Sequence, residues 1–195
     1  MLFRSFPSHD TLALKDCKIF PITKDDSTGY TVGTAIDVPT VQSVKFDFEI
    51  DEKELYGDEE IKDIYTKAKK VTWSVDYGEM SLDLQAAILG GSVVASGQTP
   101  NQKNTFGYSL GVNKQYFQLA FKSDYTNELE DVADLHVNIM KCKISADSFE
   151  AKSEEYGTLT FGGSRINTTN ELSAGKALYI TLNETDTNLT AIVSA

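Results

Sequence analysis

Residues whose types could do chemistry are few in this 195-residue chain, and they are scattered. His9 and His136 are the only histidines, Cys17 and Cys142 the only cysteines, and the members of each pair lie far apart in sequence. The cysteines form no CxxC pair, and with two histidines they make no zinc ligand set. They read as buried or half-buried thiols of a reducing compartment. His136 falls among apolar residues in a strand pattern, where a structural histidine with its hydrogen bonds met is commoner than a catalytic base. No GxSxG, HExxH, P-loop or dinucleotide glycine pattern occurs, and the GGS triplets at 90–92 and 162–164 read as turns. A glycosidase needs two carboxylates across a scissile bond. The chain holds 29 acids, and nothing in their spacing singles out two. Trp73 could serve as a sugar platform, but its inward parity on a regular strand favours the core. The expectation is a protein that is no enzyme and needs no cofactor and no metal.

Composition narrows the partners. A formal charge of −11 argues against binding nucleic acid by phosphate neutralisation, which needs clustered Lys and Arg. It is compatible with working beside DNA, because a like-charged surface keeps phosphates from sticking. At 41% hydrophobic and 10% aromatic, the sequence can bury a core as one domain over 1–195, with extended arms. No secretory leader is expected, and no apolar run approaches the ~18–20 residues needed to span a bilayer. A soluble protein made in a cytoplasm follows as an expectation. Asn167, Asn183 and Asn188 stand in N-x-S/T triplets and read as polar loop residues.

The elements that would position any site are mostly strands. Val71, Trp73, Val75 and Tyr77 alternate with Lys70, Thr72, Ser74 and Asp76, the period of two of a half-buried strand. Gly78 breaks it. Ser81 then stands as an N-cap with Asp83 just inside, Leu84, Ala87 and Ile88 form one apolar stripe, and Gly90 and Gly91 end the helix. Residues 1–10, with Pro7, read as an arm. Strands are predicted over Ala13–Phe20 and Tyr30–Ile36 around the turn KDDSTG, and through Val44, Phe46, Phe48 and Ile50. The block from Asp51 to Asp63 is acidic and reads as a solvated loop, within which Ile61, Ile64, Tyr65 and Ala68 keep the spacing of a short second helix. Residues 92–105 read as a polar connection or arm. Phe106, Tyr108, Leu110 and Val112 read as a strand, and Tyr116–Phe121 as a central one. A second acidic block holds Asp124, Glu128, Glu130, Asp131 and Asp134.

Between Leu135 and Ile144 the apolar parity changes. Leu135, Val137 and Ile139 share one face, and then Met140, Cys142 and Ile144 take the other. A bulge or a strand passing between two sheets would do this, and so would a strand buried on both sides. Residues 146–155 read as loop, and Thr158–Phe161, Ala177–Leu182 and Leu189–Val193 as the last strands. About nine strands and one helix suit a mainly β fold, a β-sandwich or partly closed barrel with one flanking α-helix.

The succession LYGDEE, KVTWSVDYG and SLDLQAAILGG over Leu55–Gly91 resembles the major tail protein, or tail tube protein, of long non-contractile-tailed phages. QYFQLAFKSD and LHVNIMKCKISADSFEAKSEEYGTLTFGG resemble later parts of that family's core, so the likeness runs over roughly residues 10–165. It implies a small β-sandwich with one flanking helix that assembles into hexameric rings, stacked as a hollow tube for the genome. Over Asp51–Lys70 it implies an extended loop or hairpin, in conflict with the helical spacing there. Some members carry an immunoglobulin-like C-terminal domain, for which the stretch after Gly163 is too short.

Under that resemblance the chain is a virion protein of the tail, assembled in the host cytoplasm. Its partners are copies of itself, the tape measure, tail terminator and distal tail proteins, and viral DNA that passes without specific binding; no membrane is involved. The acidic 51–70 region becomes an assembly loop, with Leu55, Tyr56, Asp58, Glu59, Glu60, Ile61, Ile64 and Tyr65 as interface residues. Asp47, Glu49 and Asp76, outward-facing strand acids, become the candidates to line the bore, in competition with the loop blocks 51–63 and 124–134. DNA in a narrow bore runs within about one Debye length (~8 Å at physiological salt) of the wall, so like charge prevents sticking. The alternative is a β-sandwich binding module for carbohydrate or a protein surface at a tail tip or cell surface. Such a module would expose its aromatics, whereas Phe46, Phe48, Trp73, Tyr77, Phe117 and Phe121 sit at core parity.

Overall fold

Two-residue periodicity dominates the chain. In the computed structural model it yields eleven strands and one helix among the described residues, which are 11–57, 60–109, 111, 113–126, 132–149, 158–166, 176–183 and 185–193. The strands are β1 (Thr11–Asp26), β2 (Gly29–Val32), β3 (Ile36–Asp37), β4 (Val41–Gly57), β5 (Glu60–Tyr77), β6 (Ser92–Ser96), β7 (Lys103–Gly107), β8 (Phe117–Thr126), β9 (Val132–Phe149), β10 (Leu159–Arg165) and β11 (Leu178–Asn183). The helix, α1, spans Leu82–Leu89. The arm predicted over 1–10, and Glu128, Glu130 and Asp131, lie outside the described residues.

Nine strands form one antiparallel sheet in the order β2-β1-β8-β9-β10-β5-β4, with β11 added beside β9 and β3 beside β1. The sheet does not close into a barrel. It folds over itself instead. The Trp73 ring of β5 meets the Phe117 ring of β8 edge-on at 5.5 Å, although β9 and β10 stand between those strands in the sheet. Phe46 of β4 likewise reaches Phe121 of β8 at 6.2 Å. The two halves thus face each other across one core, as in a sandwich. Trp73, Val75, Tyr77, Leu119, Ile139 and Phe161 fill it, all nearly or fully buried. Gly163 makes room for the indole: a Cβ there would lie 2.8 Å from Trp73 Cζ2 and 2.0 Å from the Lys143 carbonyl oxygen.

Helix α1 forms as its sequence predicts. The Ser81 hydroxyl accepts from the Leu84 amide (3.3 Å), Asp83 lies in the first turn, and Gly90 ends the helix in the left-handed conformation (φ 79°). Leu84 and Ile88 are fully buried, and the Gln85 amide donates to the Tyr77 hydroxyl (2.7 Å), tying the helix to β5. Gly91 has a different role from the expected one. A Cβ there would sit 2.3 Å from the Phe106 ring, so this glycine admits the β6–β7 hairpin.

Several expectations need correction. The acidic loop and the helix expected from Ile61 to Ala68 are absent; β4 and β5 continue through the region as one long hairpin with pairs out to Gly57–Glu60. Exposed side chains on both faces explain the misleading spacing, because nothing there has to obey a burial period. Residues 92–105 are largely the β6–β7 hairpin; of the strand expected over 106–112, Phe106 and Gly107 belong to β7, Tyr108 and Ser109 do not, and Leu110 and Val112 lie outside the described residues. Of the loop expected over 146–155, residues 146–149 are strand, since β9 runs to Phe149 and pairs with β10; the remainder lies outside the described residues. Leu189–Val193 is no strand; it lies against the outer face of the sheet without regular structure. The assembled count is therefore higher than nine.

The parity change in β9 has a definite cause. Lys141 adopts φ 45°, and the pairing register to β8 shifts around it, from Phe117–Cys142 to Leu119–Ile139; a separate shift opposite Gly162/Gly163 of β10 lies farther along, between Ile144 and Ala146. The Lys141 bulge carries Val137 and Ile139, and then Cys142 and Ile144, into the same core, while Met140 is buried with them. Lys141 itself turns outward, to Asp25 and over the Tyr116 ring (5.2 Å). Both readings of that stretch hold in part: there is a bulge, and Val137–Met140 is buried on both faces.

Candidate assembly surface

Beyond the Phe48–Val71 pair, whose Val71 is still buried, β4 and β5 leave the body. Every residue from Asp47 to Tyr56 and from Lys62 to Lys67 is exposed, on both faces of the ribbon. From Phe48 to Gly57 the arm extends roughly 30 Å at about 3.4 Å per residue. Paired residues share a face. Phe48, Ile50, Glu52, Glu54, Tyr56, Ile64 and Thr66 therefore continue the core-facing side, while Glu49, Asp51, Lys53, Leu55, Asp63, Tyr65, Lys67 and Lys70 form the other. Register shifts at Glu49/Ile50 and Leu55/Tyr56 mark two bulges, which add twist and make the exposed ribbon a poorer template for stray strands. Glu49 stands opposite Lys70, and Asp51 opposite Lys67, so cross-strand charge supports the pairing where burial cannot.

The arm gathers the predicted interface residues at its far end. Leu55 is 62% exposed, Tyr56 64%, Ile64 48% and Tyr65 59%, with the Tyr56 hydroxyl bonded to Glu54. Glu60 and Ile61 pair with Gly57 and Tyr56 through their backbones. Asp58 and Glu59, which join the strands, lie outside the described residues. Phe48, placed at core parity from its spacing, is 45% exposed because the body ends beneath it.

Asp47, Glu49 and Asp76 share the outward face of β4 and β5. They are not alike. Asp76 accepts from the Ser43 hydroxyl (2.7 Å) and the Thr160 hydroxyl (2.6 Å), which fixes it among Ser43, Ser74 and Thr72 on a polar, small-residue face. Asp47 pairs with Lys45 (3.1 Å), and Glu49 stands beside Lys70. The face alternates acids with lysines and hydroxyls, so it is smooth and hydrated, and less acidic than the chain's net charge suggests. In the competing block, Asp124 pairs with Lys15 (2.5 Å) and Asp134 is fully buried, which leaves neither to line a surface.

A second polar cluster went unread in the sequence. On the outer face of β8 and β9 lie Gln118, Lys122, Asp134, His136 and Asn138, all buried. Residues 185–193 cover them. Asp134 accepts from the Thr187 amide (2.6 Å), the Thr187 hydroxyl (3.1 Å) and Asn183 Nδ2 (2.6 Å), and lies 3.1 Å from His136 Nε2. Burial pushes its carboxyl up, but the Thr187, Asn183 and His136 contacts outweigh that and hold it below the usual range. Lys122 donates to the Thr187 carbonyl (2.7 Å) and pairs with Asp186. The signal available in sequence was the even parity of Gln118, Lys122, Asp134, His136 and Asn138 within two otherwise apolar strands.

This cluster contains an aspartate, a histidine and a hydroxyl, yet its geometry is wrong for a relay. Asp134 and the Thr187 hydroxyl (3.4 Å) both approach His136 Nε2, whereas a catalytic triad places the nucleophile and the orienting acid on opposite nitrogens of the histidine base. Cys17 and Cys142 are fully buried, their thiols pushed far up by that burial. Among the described residues no group of three or more His, Cys, Asp or Glu is placed to hold a metal ion, and no helix is long and apolar enough to cross a membrane.

No family model matches this sequence, and no curated protein matches it. Among solved structures it is similar to a chain of the anti-feeding prophage (AFP) baseplate, determined by cryo-EM with six-fold symmetry imposed. That likeness covers 91% of this chain and 97% of the other, at 10% identity and a TM-score of 0.42. At that score it is a similarity of outline and decides no function.

Proposed function

We propose that this chain is a structural subunit of a tailed-phage virion, which assembles with copies of itself into stacked rings that form the tail tube. The observation that carries this reading is the β4–β5 arm. A monomer gains nothing from a ribbon of this length with Leu55, Tyr56, Ile64 and Tyr65 exposed at its end. A subunit that must reach a neighbour does. Ring formation uses head-to-tail contacts that close by rotation, and stacking uses a second, open-ended contact along the axis. The arm suits the second role, and the resemblance of Leu55–Gly91 to tail tube proteins supplies the expectation of hexamers.

On this reading the protein is no enzyme and works without a cofactor. Its further partners are the tape measure, terminator and distal tail proteins, and it resides in the virion tail after assembly in the host cytoplasm. The face holding Asp47, Glu49 and Asp76 would line the bore, offering DNA hydroxyls and balanced charge with no basic track to grip phosphate. Electron microscopy of the concentrated, purified protein tests the assembly: rings or tubes of phage-tail width are expected, and persistent monomers under all conditions would overturn it. Charge reversal at Asp47, Glu49 and Asp76 tests the bore. Tubes that assemble and eject DNA at the normal rate would remove that assignment.

A further inference from the structure

Taking the chain as a self-assembling subunit, as above, we propose that segment 185–193 is an exchangeable arm, whose seat on the outer face of β1, β8 and β9 receives the same segment from a second copy. Three features of the seat lead there.

The first is how the segment is held. No main-chain ladder joins it to a strand among the described residues. Side chains of the sheet hold it instead: Lys122 on the Thr187 carbonyl, Asp134 on the Thr187 amide, and Gln118 against the backbone of Ile192. With its amide oriented to meet both groups, Gln118 donates to the Ile192 carbonyl (3.1 Å) and accepts from the Ile192 amide (3.0 Å). These side chains bond to main-chain groups of the segment at Thr187 and Ile192, as a strand edge would.

The second is the floor. Gln118, Lys122, Asp134, His136 and Asn138 are polar or charged. Lifting the segment returns them to water, which replaces the hydrogen bonds the segment made. An apolar floor would demand a permanent cover; this one tolerates being open.

The third is the anchor. Leu189 is 5% exposed and packs with Phe20 and Ala120 in a small cluster separate from the main core. Removing it leaves that core untouched. A segment with one apolar anchor, main-chain recognition and a polar floor can seat identically on its own sheet or on that of a second copy. Assembly raises the local concentration of the second seat enough for the two to compete.

The test uses full-length chains with different tags, one carrying Ala120→Cys and the other Ala191→Cys, both at the seat. The native thiols are fully buried and stay out of the reaction. The chains are mixed, concentrated, and treated with oxidant or a short bismaleimide. A cross-linked product bearing both tags is expected at assembling concentrations. Its absence overturns the exchange, and a chain carrying both cysteines that closes only on itself would show the arm staying at home. Failure of the assembly reading looks different: no rings appear by microscopy, whatever the cross-links. A second measurement guards against a disturbed seat. A labelled peptide of sequence 185–193 should bind saturably to full-length chain carrying Leu189→Asp, and lose that binding when Asp134→Ala is added. Equal binding with and without Asp134→Ala overturns the seat as receptor.

Discussion

Replacing Leu55 and Ile64 by serine separates the arm's role in folding from its role in assembly. Both side chains lie outside the core, on opposite faces of the ribbon, 62% and 48% exposed. Fully burying an aliphatic side chain of this size stabilises a complex by about 1.5–3 kcal/mol. Scaled by the surface each still has to lose, the pair is worth about 2–3 kcal/mol per arm in a neighbour's pocket. At about 1.4 kcal/mol per tenfold, the concentration at which the protein assembles should rise by roughly one to two orders of magnitude. The monomer should barely notice, because exposed strand substitutions shift stability within about 0.5 kcal/mol. Light scattering against concentration gives the threshold, and thermal unfolding of dilute protein gives the monomer's stability. An unchanged threshold would refute the assembly role of the arm. So would a thermal midpoint lowered by ten degrees or more, since the side chains would then be supporting the fold.

Three other outcomes follow from the geometry. Gly163→Ala should cost about 1–3 kcal/mol, because its Cβ would collide with the Lys143 carbonyl and the Trp73 ring, whereas Gly107→Ala, with nothing within 4 Å, should be nearly neutral; denaturant midpoints compare the two. Asp134 has a folded pKa below its unfolded value, so its stabilising effect is complete above the unfolded value near ~3.9 and is lost as pH falls through the folded one. Amide protection at Thr187 should accordingly hold at neutral pH and be lost progressively only as pH falls below the ordinary carboxylate value and through the lower folded one, a dependence that Asp134→Asn should abolish. Cys17 and Cys142 should resist a thiol reagent in the native protein and react together once it is denatured, and rapid labelling of native protein would contradict their burial.

The fold was legible wherever one face of an element is buried. Trp73 and its neighbours on β5 and the capped helix with Leu84 and Ile88 show the period that burial imposes, and β8, buried on both faces, was legible as an unbroken apolar run. The arm was misread because neither face is covered from Lys62 to Lys67: with Ile64 and Tyr65 free of any burial constraint, an accidental helical spacing looked meaningful. The 92–105 hairpin hid for a similar reason, being small, polar and mostly exposed. Of the candidate surface, residue patterning located the apolar residues around Leu55 and Tyr65, while the hairpin that carries them outward was expected only from the resemblance. The cover over Asp134 was beyond sequence reading, since it depends on residues brought together from β8, β9, β11 and the chain's last stretch.

The continuity of β5 has a mechanical side. One strand runs from the far end of the arm to Tyr77, paired with β4 along its length and with β10 beneath Trp73. A pull on the arm along its axis therefore loads the hydrogen bonds of both ladders in shear, and they share the force. Pulling sideways would instead peel them one after another. A tether built this way is strong in tension and compliant in bending.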